Sequence, residues 1–69
     1  SETDSRYFVH ISYTYLLLGD RKNAASFADR AVVLSYDQIG NQSFRLLSEI
    51  YKVLGDNKKR SEALLKSAP

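Results

Sequence analysis

Displacing the chain on itself by 36 residues brings Phe8 onto Phe44, Ser12 onto Ser48, Tyr15 onto Tyr51 and Leu18 onto Leu54. The same offset places Gly19 on Gly55, Asp20 on Asp56 and Lys22 on Lys58, with Ile11 on Leu47. One offset that aligns aromatic, small, turn and acidic positions together marks a duplicated supersecondary unit. Within the first unit, Phe8, Ile11, Ser12, Tyr15 and Leu18 recur at spacings of three and four and share one helix face. Gly19 can end that helix in a left-handed conformation and Asp20 can cap the next. There Ala24, Phe27, Ala28, Ala31 and Leu34 form the second stripe.

The second unit repeats the plan. A break at Gly40-Asn41-Gln42-Ser43 precedes a stripe of Phe44, Leu47, Ser48, Tyr51 and Leu54. The Gly55-Asp56 turn and a fourth helix from about Lys58 to Lys66 follow. Glycine occurs only at positions 19, 40 and 55 and proline only at 69, so the breakers leave four helices, the first opened by Thr3 or Asp4 as a cap. The expectation is an all-α fold of two antiparallel hairpins, with repeat one over about 5–38 and repeat two over about 41–69. Tyr15 and Tyr51 should then have equivalent surroundings.

Composition narrows what such a chain can do. Sixty-nine residues make a single domain, which buries only roughly 60% of the surface its unfolded form exposes. There is no cysteine and His10 is the only histidine, so neither a disulfide nor a histidine-cysteine metal site is available as a staple. Burial against another chain or a neighbouring segment would supply the missing stability, and the absent initiator methionine reads as a piece of a longer protein. The net charge of +2 has mixed signs along the chain and lacks a nucleic-acid footprint. The longest apolar runs, Tyr15 to Leu18 and Ala31 to Leu34, are far short of a bilayer span, so no membrane insertion is expected. Without a signal-peptide pattern at the amino end, a cytoplasmic location is expected.

The repeat resembles the tetratricopeptide repeat family, whose unit is two antiparallel helices carrying an early aromatic, an apolar–small pair, a tyrosine, a glycine turn and spaced alanines. Phe8, Ile11, Ser12, Tyr15, Gly19, Ala24 and Ala31 fall at matching positions in the first unit, and Phe44, Leu47, Ser48, Tyr51 and Gly55 in the second. The departures are a period of 36 where 34 is usual, Tyr36 where proline is common, Ala28 for an aromatic, and Arg60 and Ser67 for the alanines of the fourth helix. That helix departs most from the family pattern, which leaves three readings for it: displaced, frayed or specialised as a terminal cap. The resemblance implies a short, right-handed superhelical stack in which small Ser12 and Ser48 let a neighbouring helix approach and the aromatics fill the wedge. Pentatricopeptide repeats have a similar period, but their reading of RNA needs many stacked units.

By that resemblance the first helix of each unit would line a partner-binding groove. Its residues would be Arg6, Val9, His10, Tyr13, Leu16 and Leu17 from the first unit, and Gln42, Arg45, Leu46, Glu49, Lys52 and Val53 from the second. Val9, Tyr13, Leu16 and Leu17 are large and apolar off the core stripe, where a lone surface helix should be polar. The implied function is a protein–protein interaction module, a scaffold or chaperone-like adaptor, gripping a peptide or helix. The same residues could instead be covered by a second copy, making a self-associating homodimer. Val9 and Tyr13 occupy two positions where the co-chaperone subclass has its carboxylate clamp, which favours a largely apolar ligand with Arg45, Glu49 and Lys52 at the rim.

Other chemistry is thin. His10 has no histidine or cysteine companion as a metal ligand, and Ser12 and Ser48 sit at packing positions rather than beside an oriented base. Arg21-Lys22 and Lys58-Lys59-Arg60 each adjoin an aspartate, as solvated helix starts do. A helix-turn-helix nucleic-acid binder is the alternative class, but the second helix offers alanine, valine and a few scattered charges where a recognition helix needs exposed Arg, Lys, Asn or Gln on one side. No enzyme activity, cofactor or metal is expected.

Overall fold

The computed structural model describes residues 5–34 and 41–67, together with all their side chains except those of Leu34 and Asn41. Four α-helices run in chain order: α1 (Ser5–Leu17), α2 (Arg21–Leu34), α3 (Asn41–Leu54) and α4 (Asn57–Ser67). No strand occurs among the described residues. Helices α1 and α2 form one hairpin and α3 and α4 another, and α3 packs on both α1 and α2. The expected all-α pair of stacked hairpins is therefore present. The caps Thr3 and Asp4, the break at Gly40 and the altered position Tyr36 lie outside the described residues.

The two tight turns superpose bond for bond. Gly19 has φ 81° and Gly55 φ 83°, a region that L side chains rarely adopt. In the first turn the Gly19 N–H donates to the Leu16 carbonyl at 3.0 Å and the Asp20 N–H to that of Tyr15 at 2.9 Å. In the second, Gly55 donates to Lys52 at 3.1 Å and Asp56 to Tyr51 at 2.9 Å. These bonds satisfy carbonyls that a helix end leaves without partners. The following helices are capped alike: Asp20 Oδ1 accepts the Asn23 N–H and Asp56 Oδ1 the Lys59 N–H, both at 3.1 Å. That bond to Asn23, reinforced by the Asn23 side chain, holds the Asp20 carboxyl below its ordinary range.

The core is built mainly from the expected stripes. Phe8, Ser12, Ala24, Ala28 and Ala31 are buried in the first hairpin, and Phe44, Leu47, Ser48 and Tyr51 in the second. The small residues act as expected where helices approach: the Ser12 hydroxyl, buried, donates across the hairpin to the Ala24 carbonyl at 2.6 Å. Its counterpart Ser48 donates at the same distance to Arg45, within its own helix. The position matching Ala24 in the second hairpin is Arg60, a bulkier residue.

Several expectations are corrected. Leu18 lies in the turn after α1 and is 74% exposed, so it leaves the stripe. Val9 is fully buried in the core with Leu47 and Ile50 and cannot line an open groove. The reason is that α1 packs against α3 as well as α2, so its buried arc is wider than one stripe and takes in the residue beside Phe8. Helix α4, by contrast, runs over 11 residues close to the expected Lys58 to Lys66 and is not frayed within its described span.

The surroundings of Tyr15 and Tyr51 are also unequal. Tyr15 is half-buried and stacks on Phe27 at 5.5 Å. Tyr51 is buried and donates to Asp29 of α2. Two physical differences account for this: α2 covers the side of α3 that bears Tyr51, and the position matching Phe27 in the second hairpin is Ala63.

Candidate binding surfaces

Among the exposed residues of α1, which also include Tyr7 and Thr14, Arg6, His10, Tyr13 and Leu17 are spaced four, three and four apart. A helix repeats every 3.6 residues, so these side chains form one continuous row. On α3 the corresponding exposed residues are Gln42, Arg45, Glu49, Lys52 and Val53, with Leu46 half-buried between the row and the core. Leu16 has the same half-buried status on α1 and packs against the core cluster.

The two rows belong to neighbouring helices whose ends lie together. Arg21, which opens α2 just after α1 ends, donates from Nη2 to the Val53 carbonyl at 3.0 Å. The carboxyl-terminal ends of α1 and α3 therefore share one edge of the molecule. At that edge Leu17 is 69% exposed and Val53 53%, while Tyr13, further back, is 39% exposed. His10 and Arg45 stand nearer the amino ends. The surface grades from polar and basic at one end to apolar at the other. Of the residues expected to form a groove, all but Val9 retain some access to solvent.

Among the basic residues at the helix starts, Lys59 has a structural role. Lys59 pairs with Asp29 at 3.1 Å and with Asp56 at 3.8 Å. Its ammonium also sits 5.8 Å from the centre of the Tyr51 ring. Hydrogen bonding to Asp29 raises its pKa, since the partner favours the charged form. Tyr51 is pushed upward too, first by burial and then by its bond to Asp29, both of which disfavour the phenolate. Three groups from three helices thus converge on one contact between the hairpins.

A second feature lies apart from the α1–α3 rows. A cleft of about 260 Å³ opens between α2, α3 and α4. Val32 and Val33 of α2, Phe44 and Tyr51 of α3 and Ala63 of α4 supply its apolar walls. Asp29, Lys59, Glu62 and Lys66 stand around it. None of the cleft's apolar residues was among the expected site residues.

No group of three or more His, Cys, Asp or Glu side chains able to hold a metal ion occurs among the described residues, and none of the described helices is long and apolar enough to cross a membrane. Comparison of the chain with protein-family models, with curated proteins and with solved structures gives no match.

Proposed function

We propose that this chain is a protein-interaction module of tetratricopeptide type, an adaptor or scaffold element that receives a peptide or helix of a partner along the adjoining rows of α1 and α3. The observation that carries the reading is the exposure of Tyr13, Leu17 and Val53 toward one edge of those rows. Large side chains at such positions gain nothing from the core, and aromatic anchors dominate the energetics of interfaces. Arg45, Glu49 and Lys52 would supply the polar rim that sets register. The matching turns support the repeat on which the family resemblance rests, whereas the unequal surroundings of Tyr15 and Tyr51 count against it.

The test is selection of binding peptides from a random library by the whole chain, followed by mapping of amide shifts. Bound peptides should perturb Tyr13, Leu17, Arg45 and Val53. Peptides that perturb none of these residues would overturn the reading. A concentration-dependent dimer in sedimentation with the same residues protected would assign the rows to a second copy. Tight binding of duplex DNA at low salt, with a steep salt slope, would replace the reading with nucleic-acid recognition.

A further inference from the structure

The internal repeat provides a template for reading the cleft. In the first hairpin Phe27 fills the space between Phe8 and Tyr15, its ring stacking on theirs at 5.8 and 5.5 Å between centres and at interplanar angles of 24° and 16°. The Arg30 guanidinium covers the cluster, 5.1 Å from the Phe27 ring and 4.9 Å from that of Phe8. Shifting these four positions by 36 residues gives Phe44, Tyr51, Ala63 and Lys66. All four line the cleft.

The second hairpin therefore keeps both outer aromatics and a cation at the covering position, and has lost the ring between them. Replacing phenylalanine with alanine removes a whole phenyl group, and a packed interior closes such a gap only in part. The volume agrees: a cavity of about 150 Å³ with apolar walls suffices to bind benzene, and this cleft measures about 260 Å³.

We infer that the cleft between α2, α3 and α4 is a binding site for an aromatic side chain of a partner protein, a phenylalanine or tyrosine ring inserted between Phe44 and Tyr51 in the place that Phe27 takes in the first hairpin. Val32 and Val33 line the side toward α2 and give the ring an apolar wall. Lys59 and Lys66 border the opening, and a cation near the face of a ring is attracted by its quadrupole. An aliphatic side chain could fill the volume but would gain neither the stacking nor the cation contact. The site is separate from the α1–α3 rows and does not depend on them.

The experiment titrates the whole chain with N-acetyl-phenylalaninamide and follows amide shifts, with N-acetyl-leucinamide as the aliphatic control. Saturable shifts at Phe44, Tyr51 and Ala63, at least about tenfold tighter for the aromatic probe, are expected. Ala63→Phe should abolish them and raise the melting temperature by filling the cleft with the chain's own ring. Ala63→Leu, a smaller change, should weaken binding without full loss, and serves if the larger substitution fails to fold. Absence of saturable shifts, equal binding of both probes, or undiminished binding by both variants would overturn the inference.

Discussion

The Tyr51 hydroxyl donates a hydrogen bond of 2.7 Å to Oδ1 of Asp29, 22 residues earlier, and this bond ties the second hairpin to the first. Lys59 donates to the same oxygen at 3.1 Å. The Lys59 and Asp29 side chains are 44% and 45% exposed, so solvent screens their ion pair and it contributes on the order of 0–1 kcal/mol. The phenol is better placed, since its ring is buried and its acceptor is charged. Tyr51→Phe should therefore cost about 1–2 kcal/mol, lowering the melting temperature by several degrees at neutral pH. An unchanged melting temperature would mean that water replaces the bond at no cost.

Alkaline pH probes the same contact. Tyr51 and Lys59 both have pKa values raised in the folded chain, so the unfolded chain releases their protons first as pH rises. Their contribution is complete below the ordinary values of about 10 to 10.4 and declines as pH climbs beyond them. Melting temperature should hold steady to about pH 9 and then fall more steeply in the parent chain than in Tyr51→Phe. Parallel curves would place the alkaline sensitivity on other groups.

Most of this architecture was legible in the sequence because the repeat and the glycines act locally. Gly19 and Gly55, Asp20 and Asp56, and Ser12 facing Ala24 all do what their types and spacing imply. What escaped depends on the contact between hairpins. Val9 looks like a surface residue until α1 is known to pack on two neighbours. Ile50 is fully buried for want of any matching signal, since Thr14 stands at its place in the first unit. The role of Asp29 required the approach of α3 to α2. The cleft did leave a trace, Phe27 against Ala63 at the 36-residue offset, but a mismatch in a repeat has no meaning until its neighbours, Phe44 and Tyr51, are seen to line an opening.

The two turn glycines offer a direct measure of how alike the units are. A Cβ added at either residue would meet nothing within 4 Å, so a substitution is opposed only by the left-handed backbone. Gly19→Ala and Gly55→Ala should each cost about 1 kcal/mol, and nearly the same amount, in chemical denaturation. A large disparity would show that the turns bear different loads despite matching bonds.

The paired serines should behave differently. Ser12 sends its buried hydroxyl to the opposite helix, whereas Ser48 returns its own to the preceding turn. Ser12→Ala should destabilise by about 0.5–1 kcal/mol. Ser48→Ala should be neutral or slightly stabilising, because a local back-bond competes with helix geometry and alanine is the better helix former. Equal losses in urea denaturation would argue that both hydroxyls hold helices together.

Val9, Tyr13 and Leu17 lie on one helix and separate stability from recognition. Val9 is 0% exposed, so truncating it to alanine removes packed methyl groups and should cost about 2 kcal/mol. Tyr13 and Leu17 face solvent, and their joint replacement by alanine should alter stability by no more than about 0.5 kcal/mol. It should nevertheless weaken binding of any peptide selected on the α1–α3 rows by about tenfold or more, since a truncated aromatic anchor typically costs upward of 1.4 kcal/mol of binding energy. Circular dichroism melts read the first quantity and calorimetric titration the second. If Tyr13→Ala/Leu17→Ala unfolds the chain, those side chains support the fold; if it binds as well as the parent, the rows are not where the partner sits.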